Sequence, residues 1–344
     1  MGQRKWYIDR LRVVSIAAVV VIHTAAQYWG SLDAASYEWW VANVFDGLTR
    51  WAVPVFVMIS GALFLDDNRE TSIRALYAKN ILKIVILILF WGFVYAALYS
   101  PPDSLSLADI KSFAKDWLFG HYHMWFLYMI AGLYALVPIL RCITRSEVVL
   151  NYFLALGFAL NSVVPFLASF GPLSDLTTFF AKISIQMPVG FSFYFVLGYK
   201  LAKTDFSSRD ARLVYILGII GGIATVLLTG WASLVASAPT QTYYSYFMPP
   251  VALTAVAVFV FAERRDRVPR SSNSKKRLLA LSKASLGVYM VHIMVLDTLL
   301  RCGIDSMCVN PIIAIPATAG IAIIVSFVIS LLLGKIPLVG KYFV

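Results

Sequence analysis

Residues 9–23 read Asp9-Arg10-Leu11-Arg12-Val13-Val14-Ser15-Ile16-Ala17-Ala18-Val19-Val20-Val21-Ile22-His23, and how this stretch is taken decides the fold. Arg12 and His23 stand eleven residues apart with an almost wholly apolar run between them. Eleven steps of about 100° return a helix to nearly the same face about 16 Å further along. A cation at the mouth and an imidazole at mid-depth therefore share one stripe. An imidazole in hydrocarbon needs a partner or a water-filled cavity, which makes His23 a functional candidate; the plainer reading is a neutral histidine bonded to a neighbouring helix. Arg12 alone would be ordinary anchoring of a first span.

The remainder of the chain agrees with a membrane reading. Of 344 residues 60% are hydrophobic and 14% charged, and the mean hydropathy is +0.77, which together exclude an ordinary water-soluble fold. The basic start Arg4, Lys5, Arg10, Arg12 leads into a long apolar run without a small-residue cleavage motif, so it reads as a retained span. Ten transmembrane helices are expected in one all-α membrane-embedded domain over 1–344, near 12–29, 42–65, 80–99, 123–140, 148–167, 183–201, 212–234, 245–263, 284–302 and 311–333.

Net charge of +11 would suit a nucleic-acid binder, but the cations are placed otherwise. With the N-terminus inside, only Arg50, Lys111, Lys115, Lys182 and Arg301 fall on the outer side, leaving 24 of the 29 basic residues inside. That asymmetry puts both termini in the cytoplasm by the positive-inside rule and removes the need for a polyanionic partner. Three cysteines are too few for a disulfide framework, although Cys302 and Cys308 lie near one outer loop where a bridge is permitted.

Several polar groups inside or beside the spans stand out. The second span carries Asp46, Arg50, Pro54 and Ser60-Gly61. Pro54 and the Ser-Gly pair either loosen the helix beside a cavity or let two helices pack closely. Lys79 and Lys83, at i and i+4, share a face near the inner surface. The outer loop 100–122 is amphipathic over Ala108 to Leu118 and ends in His121-Tyr122-His123-Met124-Trp125-Phe126. With four histidines in the chain and no acid beside this pair, a metal site is not expected. Asn161 and Gln186 read as interhelical glue, Gly218 to Gly222 as a helix contact, and 264–283 as a solvated basic linker touching anionic lipid. In the ninth span Ser285, Tyr289 and His292 fall on one stripe, and His292 lies about 13 Å beyond Lys283, a depth comparable with that of His23.

Four segments in order carry a resemblance to a known family. Arg12-x10-His23 with Asp9 before it, Arg50-x-x-Val53-Pro54-x-Phe56-x-x-Ile59-Ser60-Gly61, His123-Met124-Trp125-Phe126, and Tyr289-x-x-His292 together resemble the acyltransferase-3 family of integral membrane O-acyltransferases. The third segment is similar to that of the subgroup related to the enterobacterial common antigen O-acetyltransferase. Where family members often show Arg-x-x-Arg against the acyl donor, this chain has Asn80-x-x-Lys83 with Lys79 adjacent, so a basic anchor is the plainer reading there.

The resemblance implies transfer of an acyl group, most often acetyl, from cytoplasmic acyl-CoA to a hydroxyl of an outer-side cell-envelope glycan or glycolipid, in a bacterial cytoplasmic membrane. On that reading His23 is the general base or a transient acyl carrier. Arg12, with Asp9, Lys79 and Lys83, meets the donor. Ser60, Tyr289 and His292 stabilise the oxyanion or orient the thioester. Arg50, His123 and Trp125 hold the acceptor at the outer rim, and His121 is dispensable. The rival class is a small-molecule or lipid-linked sugar transporter, which would need no acyl-CoA.

Overall fold

A computed structural model describes residues 4–66, 69, 72–104, 106–182, 190–269 and 271–342. Every regular element among them is helical. Eight helical stretches are long and apolar enough to cross a bilayer: Tyr37–Phe64, Ile73–Tyr99, Tyr122–Thr144, Glu147–Ala168, Ser208–Val235, Thr242–Arg264, Ser272–Arg301 and Pro311–Leu333. The first helix, Trp6–Ala25, carries Asp9, Arg10 and Arg12 in its opening turns, and its 20 residues rise about 30 Å, the thickness of a hydrocarbon core. Of the expected span 183–201 the structure describes Phe191–Leu201; Gln186 lies outside the described residues. Helix Ser208–Val235 turns Leu213, Ile216, Ile219, Ile223 and Leu227 outward. Such a stripe is tolerable only against lipid, and the protein is a multi-pass membrane protein.

Lipid tails are as apolar as leucine, so close backbone contact and hydrogen bonds must hold the helices together. A Cβ on Gly61 would stand 1.7 Å from the Phe195 carbonyl oxygen, and one on Gly198 2.1 Å from that of Met58. Helices Ala52–Phe64 and Phe191–Leu201 thus meet backbone to backbone, which settles Gly61 as a packing residue. Gly221 does the same for Ser208–Val235 against Pro249–Arg264, where its Cβ would lie 2.4 Å from the Pro250 oxygen, and Gly218 makes room for the Ala257 methyl. Asn161 clamps Gly190 with both halves of its amide, Nδ2 to the carbonyl at 3.0 Å and Oδ1 from the N–H at 2.6 Å.

Three expectations are corrected. The span expected over 42–65 is two helices, Tyr37–Gly47 and Ala52–Phe64, with a break at 48–51. Pro54 has no N–H to give and its ring collides with the carbonyl four residues back, so the helix restarts just ahead of it, and Arg50 sits in the break. The linker expected over 264–283 is short, because Ser271 caps a helix that starts at Ser272, carrying Lys275, Lys276 and Arg277 on its opening turns. What remains of it folds back on the first helix: Tyr7 N–H donates to Asp266 at 2.7 Å, and Arg10 donates to the carbonyls of Arg265 and Arg267. The third span opens earlier than residue 80, through a π turn at Leu76–Ile81. The amphipathic outer segment is helix Leu107–Phe119, docked by Trp117 Nε1 on the Leu89 carbonyl at 2.7 Å and ended at Gly120, whose φ of +67° suits glycine. All three cysteines are free thiols.

The first helix and Ser272–Arg301 run side by side in the same sense. Ser282 donates to Asp9 at 2.7 Å near one end, and His23 meets His292 further along. Between them, the broken second span and the Lys79 segment, a cavity opens.

Candidate active site

The cavity has a volume of about 920 Å³ and is lined along its length by Arg12, Ile16, Val19, His23 and Gln27 of the first helix. These are positions i, i+4, i+7, i+11 and i+15, the stripe the sequence marks, and Gln27 extends it one turn beyond the residue at which the sequence reading stopped.

At one end Arg12, Lys79, Lys83 and Lys283 face the cavity together. Among the described residues Arg12 has no hydrogen-bond or ion-pair partner. Lys79 and Asn80 reach the wall because they ride on the π turn, a distortion that often marks functional sites and that no periodicity announces. Asp9 is not on this wall. Both its oxygens are bound at 2.9 Å by Arg4, and Oδ1 also accepts from Ser282. Asp9, expected beside Arg12 at the donor, is held by Arg4 and Ser282, and its carboxylate ties the start of the first helix to Ser272–Arg301.

Halfway along, His23 and His292 pack ring to ring, centroids 5.1 Å apart. His292 is fully buried, and its Nδ1 lies 2.8 Å from the Tyr289 carbonyl and 3.2 Å from that of Val288. Nδ1 therefore carries the proton, and Nε2 is left as a bare lone pair, buried and without a partner. An acceptor nitrogen cannot stabilise an oxyanion, so that candidate role for His292 is set aside. Tyr289 lines the cavity, but its hydroxyl donates to the backbone carbonyl of His123 and so positions that segment. Ser60 faces the cavity with its hydroxyl 3.1 Å from the Phe56 carbonyl.

His123 is not at a rim. It is 2% exposed, 5.4 Å from the His292 ring, with its Nε2 also unpartnered. Its Nδ1 lies 2.9 Å from Nδ1 of His121, whose ring stacks on Tyr95 at 4.6 Å. Burial pushes the His121 imidazole below the ordinary histidine range, against the opposing pull of Asp297. All four histidines of the chain thus converge, including the one the sequence reading judged dispensable.

At the other end Arg50 donates to Asp46 at 2.6 Å and lies over the Tyr244 ring at 4.1 Å, held at the helix break and facing the cavity. Trp125 stacks on Tyr246 with centroids 5.9 Å apart and planes 22° apart. Gln27, Gln241, Tyr246 and Asp297 share this end and were missed by the sequence reading. Asp297 continues the stripe of Tyr289 and could have been found by periodicity; Gln241 and Tyr246 sit in an irregular connection and could not. Among the described residues that line the cavity, Asp297 is the one carboxylate.

A family model described as an acyltransferase domain, that of the acyltransferase-3 family, matches residues 5–331. No curated protein and no solved structure matches the chain.

Proposed function

The chain belongs to the acyltransferase-3 family, and on that premise we propose that it moves an acyl group, acetyl first among the candidates, from acyl-CoA to a hydroxyl of a cell-envelope glycan. The observation that carries this reading is one continuous cavity with a carboxylate-free cluster of cations at one end, an aromatic and amide-lined mouth at the other, and His23 between them.

Arg12, Lys79, Lys83 and Lys283 fit the phosphates of a CoA ester, Arg12 by two-pronged hydrogen bonding and the lysines as mobile point charges. Acyl-CoA supplies the thioester carbonyl. His23, about 16 Å along the helix from Arg12, stands where the reacting end of a donor anchored by its phosphates would lie. At the far mouth Trp125 and Tyr246 offer stacking faces to a sugar, and Gln27, Gln241 and Arg50 offer donors to its hydroxyls.

His23 takes the proton of the acceptor hydroxyl as its oxygen bonds to the acyl carbon, and the departing sulfur is protonated as the C–S bond breaks. Ser60 lines the same cavity. The placing of the donor on the cytoplasmic side is supported by the 24 of 29 cations that the positive-inside reading assigns to the Arg12 side, and a bacterial inner membrane is what the family resemblance implies. The acceptor class is supported by the likeness of His123-Met124-Trp125-Phe126 to the common-antigen subgroup.

The test is purified protein in vesicles with labelled acetyl-CoA on one side and envelope glycan on the other. Free CoA thiol appearing in step with labelled glycan is expected. Transport of glycan or of a small solute without acyl-CoA consumption would replace this reading with the carrier one.

A further inference from the structure

The mouth of the cavity furthest from Arg12 has a charge of its own. His23 and His292 meet ring to ring, and beyond that point Gln27 follows His23 by four residues and Asp297 follows His292 by five. Both line the cavity, roughly 6–8 Å to the outer side of the two rings. Each is held by a neighbour that fixes what it can offer. The Tyr99 hydroxyl donates to Oδ2 of Asp297, which leaves Oδ1 to accept. Oε1 of Gln27 accepts from the Ser306 N–H at 2.9 Å, so the amide turns N–H donors toward the cavity.

The charge balance here differs from that at the Arg12 end. Arg50 is neutralised by Asp46 at 2.6 Å. Asp297 has no cation within ion-pair distance among the described residues. Arg301, one turn further along the same helix, is exposed to water, where its charge is weakened. The cations of the other end are distant, since Arg12 stands about 22 Å from Gln27 along the first helix. Coulomb energy falls as 1/r, so an anion about 4 Å from Asp297 feels it more strongly than four cations about 22 Å away together, and salt screens the distant pull further. Gln27, Gln241, Trp125 and Tyr246 add no charge, and the mouth is left negative by one.

We propose that Asp297 is a specificity-determining residue that restricts the acceptor to neutral or amino sugars and turns carboxylated sugars away. The inference rests on the acyltransferase reading above and narrows its acceptor class. A sugar entering the mouth presents hydroxyls that donate to Asp297 and oxygens that accept from Gln27. An ammonium on the sugar pairs with the same carboxylate. A sugar carboxylate placed there has no proton to give and meets a like charge, the repulsive element by which a site rejects a near relative of its substrate.

The experiment gives wild type, Asp297→Asn and Asp297→Glu labelled acetyl-CoA and envelope glycan that contains both neutral and carboxylated sugars. The product is digested with glycosidases and the labelled sugars are sorted by charge. Asp297→Asn keeps an oxygen for Tyr99 and removes only the charge, while Asp297→Glu keeps the charge. In wild type and Asp297→Glu the label is expected on neutral or amino sugars, in an excess of about tenfold or more over carboxylated ones. In Asp297→Asn that excess is expected to shrink to about threefold or less, with KM for acetyl-CoA unchanged. Label on carboxylated sugars in wild type overturns the proposal whether or not a variant folds, as does the wild-type distribution in folded Asp297→Asn. Should wild type release no CoA at all, the acyltransferase reading fails, and that outcome is distinct from the other two.

Discussion

His23 and His292 lie ring to ring, 5.1 Å between centroids, on two helices that run in the same sense and are registered by the hydrogen bond from Ser282 to Asp9. The register matters because that bond joins the two helices near one end, and the two rings meet further along the same pair.

His23→Ala is expected to insert and fold, since the side chain borders a cavity and not a packed seam. Its kcat should fall by about 10²–10⁴, the usual worth of a positioned base. Purified variant that releases CoA at the wild-type rate would remove the base assignment.

Arg12→Ala should act on the donor alone. One charge-assisted contact is worth about 1.5–3 kcal/mol, so KM for acyl-CoA should rise about tenfold or more while KM for the acceptor holds. The reverse pattern would place the donor at the wrong mouth.

Arg50 and Asp46 form an ion pair in which the carboxylate is 1% exposed. Arg50→Ala leaves that charge uncompensated, a change that costs about 3–5 kcal/mol in buried pairs. Thermal unfolding in detergent should show a large drop in Tm for Arg50→Ala and a smaller one for the double variant with Asp46→Asn. Equal drops would mean that the pair is not what holds the helix break.

Gly61→Ala and Ser60→Ala are neighbouring changes with opposite expected results. A Cβ at Gly61 would drive into the Phe195 carbonyl, so helices Ala52–Phe64 and Phe191–Leu201 must separate and folded yield should collapse. Ser60 faces the cavity, and its alanine variant should fold with altered kcat only. Normal stability of Gly61→Ala would contradict the close contact.

The sequence by itself determined the class of fold and the two stripes, because hydrophobic length and the 3.6-residue period depend only on the order of residues along one helix. Arg12 and His23, and likewise Tyr289 and His292, were legible for that reason. The break at Arg50 was not, since Pro54 permits a break without requiring one: Pro138 stands inside the continuous helix Trp125–Thr144. Which stripe faces which was decided only by the tertiary structure. The Gly61 and Gly198 contact sets one pair of helices, the clamp of Asp9 by Arg4 and Ser282 sets another, and together they fix rotations that no single helix encodes. His123 was read as rim and proved buried, and His121 as idle and proved bonded to it. A residue at the end of an outer loop is inside or outside according to how neighbouring helices close over it, and that is a property of the packed bundle.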